Sequence, residues 1–223
     1  MYRRSACDFV VGAVALLAAF GAQAQSCPAK PVRVVVPFAP GGGADLTARP
    51  VSQKLSEHLG QQFVVDNRDG AAGAIGMEIV AKSPPDGYTL MVMSSSFSAT
   101  PATRKLPFDL FATTTPVVEI GHTPSVVVVH PSLPKLPAVA ETLPGFETVV
   151  WYGVWVPRGT PQPIVEHLNA TVNRILEAGD IKKWLEAQGM AASGGAPDRL
   201  EERARKDYER WVRVVKDSNI RIE

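Results

Sequence analysis

The sequence predicts an α/β fold built on a parallel sheet. Three strand-forming runs, at residues 32–36, 62–66 and 88–93, alternate with two segments of helical spacing. Each run ends in a turn of glycine or serine. Strand–helix–strand units of this length form parallel sheets with right-handed crossovers. All three turns then lie at the carboxyl ends of strands, where open α/β sheets bind ligands.

The chain opens on an export signal. Arg3 and Arg4 precede an apolar core at residues 10–20 that is too short to span a membrane, and Ala22-Gln23-Ala24 is a small-x-small cleavage site. Cleavage is expected after Ala24, which places the mature protein in the periplasm. The alternative is a lipid-modified terminus at Cys27, against which stands the poor lipidation box Ala24-Gln25-Ser26. Cys7 leaves with the signal, so one cysteine remains and no internal disulfide can form. Losing Arg3, Arg4 and Asp8 takes Lys+Arg from 23 to 21 and Asp+Glu from 22 to 21. A neutral chain without a clustered basic excess argues against a nucleic-acid partner.

The elements follow in order. Residues 32–36 read as a buried strand. A helix over 45–59 carries Leu46, Ala48, Val51, Leu55 and Leu59 as its apolar stripe, with Gly60 closing it. A strand at 62–66 leads into a glycine-rich turn at 67–73. A helix over 74–82 is stopped by Ser83-Pro84-Pro85-Asp86-Gly87. The third strand, 88–93, ends in Ser94, Ser95 and Ser96. Two more strands are expected at 116–120 and 125–130, then a proline-rich stretch at 131–137, then a strand at 148–156. Thr160 as cap and Pro161 as first residue open a helix running to about residue 178. Asp180 caps a short helix. A last helix over 198–216 places Leu200, Ala204, Tyr208, Trp211, Val212 and Val215 on one face.

A strand–glycine–helix junction allows an anion to sit on main-chain N–H groups. Pro40, Gly41, Gly42, Gly43 and Asp45 form the first such junction, and Gly70, Ala71, Gly73 and Ala74 the second. The first matches neither nucleotide pattern. No Gly-Lys-Ser/Thr follows it, and Leu46 stands where a dinucleotide loop needs a small residue. It is a carboxylate cradle or a plain tight turn. A bulky residue at position 42 is expected to block the approach of a ligand. Asp45 contacts a ligand, orients the loop or caps the helix. Ser94, Ser95 and Ser96 lie outside a nucleophile elbow, so they are hydroxyl donors to a ligand or a helix cap. Trp151, Tyr152 and Trp155 line a pocket or fill the core. His58, His122, His130 and His167 are scattered without metal-ligand spacing, and no metal or cofactor is expected.

The motifs together resemble one family. Val34-Val35-Val36-Pro37-Phe38-Ala39-Pro40-Gly41-Gly42-Gly43-Ala44-Asp45 is similar to the opening signature of the tripartite tricarboxylate transporter substrate-binding proteins, the Bug family. So are Val64-Val65-Asp66-Asn67-Arg68-Asp69-Gly70-Ala71-Ala72-Gly73-Ala74-Ile75-Gly76 and Ala81-Lys82-Ser83-Pro84-Pro85-Asp86-Gly87-Tyr88-Thr89-Leu90. Leu143-Pro144-Gly145-Phe146-Glu147 and Pro157-Arg158-Gly159-Thr160-Pro161 resemble its later motifs. The resemblance implies a periplasmic-binding-protein-like fold. It also implies a clamp that holds a small carboxylate (a dicarboxylate, tricarboxylate or amino acid) on strand–helix loops and presents it to a membrane permease. It implies no enzyme. The family usually has Pro at position 69, Gly at 72 and Asn at 74, where this chain has Asp69, Ala72 and Ala74. Ala72 restricts a backbone that the family leaves free for positive φ.

The resemblance also implies a missing piece. A segment like Val126-Val127-Val128-Val129-His130-Pro131-Ser132-Leu133-Pro134 leads, in the family, into a whole second lobe. Here it runs across Lys135 straight into Leu136-Pro137. The expected organisation is a signal at 1–24, lobe one from 25–131 and 145–223, and a bridge at 132–144 in place of lobe two. Two rivals remain at this point: a secreted hydrolase or transferase using Ser94–Ser96, and a ligand-free α/β interaction domain.

Overall fold

The computed structural model describes residues 28–126, 130, 132, 141 and 148–218. The expected export signal and cleavage position, Cys27 and most of the expected bridge at 132–144 lie outside these residues.

Strand β1 (Val32–Val36) runs between β2 (Phe63–Asn67) and β3 (Thr89–Ser94), parallel to both. Val34 faces Val65 on one side and Leu90 on the other. Helix α1 (Gly43–Leu59) joins β1 to β2. A 3-10 turn (Ala71–Gly73) and helix α2 (Ala74–Ala81) join β2 to β3. The first crossover steps one way along the sheet and the second steps back past β1, so right-handed connections put α1 and α2 on opposite faces. The packing follows that rule. Ala44, Ala48, Val51 and Leu55 of α1 pack with Val34, Val36 and Val92, whereas Met77 and Val80 of α2 pack with Val35, Met91 and Met93.

Beyond β3 the sheet continues with antiparallel strands. β4 (Thr114–Pro124), β5 (Val149–Pro157) and the two-residue β6 (Ala191–Ala192) complete the order β2-β1-β3-β5-β4-β6. Helices α3 (Ser96–Thr103), α4 (Leu110–Thr113), α5 (Gln162–Glu177), α6 (Gly179–Ala187) and α7 (Pro197–Asp217) cover the two faces. Alternation along β5 sorts its side chains between those faces. Tyr152, Val154 and Val156 join the α1 side, while Trp151 and Trp155 join the α7 side with Leu200 and Ala204. There Trp155 stacks on Phe97 of α3, with ring centroids 4.3 Å apart, and Trp151 Nε1 donates to Asp207 of α7 at 2.7 Å.

Several local expectations are corrected. The strand expected at 116–120 is longer, running from Thr114 to Pro124. Of the strand expected at 125–130, Ser125, Val126 and His130 are not in a strand, and residues 127–129 lie outside the described set. Pairing with β5 carries β4 straight through Gly121-His122-Thr123, and register shifts beside Pro116 and Glu119 absorb the proline and the glycine. Thr160 is not the cap of α5: its hydroxyl donates to the Pro157 carbonyl at 2.8 Å, and Pro161 stands at the cap instead. Asp180 lies inside the first turn of α6, where it pairs with Lys54 of α1 at 2.7 Å. Helices α3 and α4 and strand β6 were not expected. On α7, Leu200 and Ala204 are buried but Val212 is exposed, so the apolar face buries only over its first turns.

Candidate functional site

Strand order reverses at β1, so the crevice between the carboxyl ends of β1 and β3 is a topological switch point. The loop after β1 and the serines after β3 both lie at that end of the sheet. Pro40, Gly41, Gly42 and Gly43 are exposed, and Ser94, Ser95 and Ser96 are half-buried.

Glycine is required in this loop for two different reasons. Gly41 has φ +84°, the left-handed region that side chains resist. Gly43 has an ordinary backbone but no room: a Cβ there would collide with the Tyr152 hydroxyl and lie 3.1 Å from its ring carbon Cζ. Gly42, the position where bulk was expected to matter, is less constrained. A Cβ there would meet only the Ala39 carbonyl, at 3.5 Å. Gly42 is also the N-cap of α1 and provides no side-chain cap. The N–H groups of Gly43, Ala44 and Asp45 therefore have no partner inside the helix, whose first bond runs from Leu46 N–H to the Gly42 carbonyl at 2.9 Å. Uncapped first-turn donors at a positive helix end suit an anion.

Asp45 sits in the first turn of α1, 2% exposed, and holds the loop. Its Oδ2 accepts from the Gly41 N–H at 2.9 Å and from Arg49 Nε at 2.8 Å. Its Oδ1 accepts from Asn67 Nδ2 at 3.0 Å, and the same amide donates to the Phe38 carbonyl at 3.0 Å. Asn67, at the end of β2, thus ties the loop to the neighbouring strand. Sequence reading did not single out Asn67 or Arg49, because the partners come from separate elements. Burial alone would raise the Asp45 carboxyl. The hydrogen bond from Arg49, then those from Gly41 and Asn67, outweigh it and hold the group below its ordinary value of 3.8. A carboxyl depressed by folding contributes stability that is present above its unfolded value and lost as pH falls through the folded one. Asp45→Asn is expected to cost about 2 kcal/mol at pH 7. It should also flatten the loss of thermal stability that the parent is expected to undergo below about pH 4. Melting curves at pH 3 to 7 check this, and parallel pH profiles for the two proteins would refute it.

The second glycine turn lies on the other face of the sheet. Gly70 and Gly73 have φ +128° and +91°, and Ala71 and Ala72 have φ +49° and +56°. Ala72 thus occupies the conformation expected to need glycine. The left-handed region costs an alanine about 1–2 kcal/mol. The turn is tied down by Thr100 of α3, whose hydroxyl donates to the Ala72 carbonyl at 2.9 Å. Gly73 packs by Met93 and Phe38, and Ala74 opens α2. Asp69 Oδ1 accepts from the Gly70 N–H at 2.8 Å and so serves the turn. Gly70, Ala71, Gly73 and Ala74 follow β2 at the same end of the sheet as Gly41–Gly43, which follow the parallel strand β1.

The serines are shared between structure and site. Ser94 Oγ donates to Ser96 Oγ at 3.2 Å, and Ser95 is the N-cap of α3 without a side-chain cap bond. Tyr152 lies directly opposite Ser94 across the β3–β5 pair, which puts both side chains on one face. Trp151 and Trp155 are core residues, 2% and 1% exposed.

A cleft of about 460 Å³ opens elsewhere, between the start of β5 and α7. Its cations are largely matched: Arg203 pairs with Glu119 at 3.0 Å, Lys206 with Glu202 at 2.9 Å and Arg210 with Asp207 at 2.7 Å. It therefore makes a weaker anion site than the uncapped helix start. His122 Nδ1 contacts Ser193 Oγ at 2.9 Å, and that hydroxyl donates to Glu119 at 2.8 Å. The neighbouring Ser193, Gly194 and Gly195 N–H groups are all spent on Ile120, Glu119 and Asn173 acceptors, so no donor is left there for an oxyanion. No helix among the described residues is long and apolar enough to cross a membrane.

Comparison with known proteins gives a consistent picture. The family described as tripartite tricarboxylate transporter family receptor matches residues 47–135 and 130–220. A UPF0065 protein from the tcbD-tcbE intergenic region of Pseudomonas sp. (strain P51) is 28% identical over 289 positions, taking in 84% of this chain and 86% of that protein. That alignment exceeds the 223 residues of this chain, so at least 66 of its 289 positions face no residue here. Protein BugT of Bordetella pertussis is 41% identical over 116 residues, which are 49% of this chain and 35% of BugT. The solved structure of R. palustris Rpa4515 with adipate superposes with a TM-score of 0.78 at 26% identity, covering 85% of this chain and 97% of that one.

Proposed function

The chain belongs to the tripartite tricarboxylate transporter receptor family, and on that premise we propose that it is a periplasmic solute-binding protein for a small carboxylate. It delivers that ligand to a membrane permease and catalyses no reaction. The observation that carries this reading is the uncapped start of α1, with its free first-turn N–H groups at the switch point. The Rpa4515 structure with adipate supports a dicarboxylate as the ligand class.

The chain keeps lobe one and replaces most of lobe two with the bridge at 132–144. Support comes from the two family matches, which overlap at 130–135, and from the alignment that outruns the chain. Strands β4 and β5 fit this division. They pair from Thr114–Pro157 outward to Pro124–Val149, so the chain leaves and re-enters the sheet at one point. The N-terminal signal is cut after Ala24. A ligand-free remnant is the second reading, favoured by the exposure of Pro40–Gly43 to solvent.

Amide NMR on the full chain, titrated with adipate, malate, citrate and glutamate, tests the function. The Gly42, Gly43 and Ala44 signals are expected to move with at least one of the four. Binding that moves only signals elsewhere refutes the site, and no movement with any of the four refutes the function.

A further inference from the structure

Within the site just proposed, one polar group has no protein partner. Tyr152 is 8% exposed, and among the described residues its hydroxyl makes no hydrogen bond; the ring is buried while the hydroxyl opens to solvent. A tyrosine with a buried ring and an open hydroxyl presents a donor that water or a ligand can use. The orphan hydroxyl is held in place from three sides. β3 pairs with Tyr152 through Ser94, β4 through Gly121, and the missing side chain of Gly43 gives the ring its space against the first residue of α1.

We propose that Tyr152 is the side-chain donor of the anion site, its O–H and the first-turn N–H groups of α1 converging on one ligand carboxylate. The inference rests on the carboxylate-binding reading and deepens it, because it separates Tyr152 from the neighbouring serines. The Ser94 proton is already given to Ser96, and Asp45 is an acceptor with both oxygens in use. Tyr152 alone combines burial, a free proton and contact with the helix start. Burial raises its phenol above the ordinary value of 10.0, so it stays a donor throughout the neutral range. The same placement explains why position 43 needs glycine although its backbone does not.

The test compares the parent and Tyr152→Phe by amide NMR, with tyrosine labelled at 13Cζ, titrated with adipate, malate, citrate and glutamate. In the parent, the Gly43 and Ala44 amides and the Tyr152 13Cζ signal are expected to move together with one dissociation constant. Tyr152→Phe is expected to weaken binding about tenfold, the worth of one hydrogen bond to a charged acceptor. Its urea midpoint should not fall, since the hydroxyl bonds nothing in the protein. Equal affinity in the two proteins, or amide movement without movement of the Tyr152 signal, overturns this inference and leaves the function standing. A parent in which only amides elsewhere respond overturns the inference and the site but leaves the function standing, and one in which no amide responds to any of the four probes overturns both.

Discussion

On the one-lobe organisation proposed above, inserting the second lobe of a relative at the Lys135 joint is expected to tighten carboxylate binding about a hundredfold. The natural chain presents its donors on one side only: Pro40–Gly43 are open to water. A hydrogen bond made in the open replaces one to solvent and nets about 1 kcal/mol. A clamp that buries most of the ligand adds two or three contacts and removes the competing water, on the order of 3 kcal/mol in all. The inserted form should also contract on binding, because two lobes can close on a ligand and one cannot. Calorimetric titration gives the affinities and small-angle scattering the contraction. Micromolar binding by the natural chain, with contraction, would sink the prediction. It would mean that the chain as it stands already forms a closing clamp, alone or with a second copy.

Arg203→Ala is expected to destabilise the fold by about 3 kcal/mol. Glu119 of β4 has a side chain with no exposed surface, and its Oε2 has no partner among the described residues. Its Oε1 accepts from Arg203 Nη1 at 3.0 Å and from Ser193 Oγ at 2.8 Å. Removing the guanidinium leaves a buried carboxylate held by one hydroxyl, and the desolvation of a charge is then largely uncompensated. The half-exposed Arg203 loses little itself by being removed. In urea the midpoint should fall by more than about 1 M at the slopes usual for a chain of this size. The same substitution in a Glu119→Gln background should cost under about 1 kcal/mol, since no charge is then stranded. Equal costs in the two backgrounds would show that Arg203 acts by packing alone.

The fold was most legible where the chemistry is local. The 32–36 strand, the helix that follows it and the glycine turns were expected from period, caps and breakers, and they lie within two residues of where they were placed. Alternation was less informative along 148–156. Apolar residues occupy both faces there, so the sequence shows a buried strand but not which side chains face α1. Tyr152 therefore stood beside Trp151 and Trp155 as one aromatic group, although its hydroxyl ends at Gly43 and theirs is a core. Position 72 worked the other way. The family-like pattern pointed to positive φ, and Ala72 adopts it at φ +56° because Thr100 and the flanking glycines hold the turn.

The sequence by itself determined the βαβαβ start and the two glycine junctions. Each depends on residues within a few positions of one another. Only the tertiary structure decided that β4 runs unbroken to Pro124, that Asn67 locks Asp45, that Arg203 neutralises Glu119 across 84 residues, and that Tyr152 overhangs the first turn of α1. These pairings come from strands and helices far apart along the chain. Their energies arise from burial and from the pairing of charges and donors once water is excluded. No short-range pattern encodes which distant element will supply the partner.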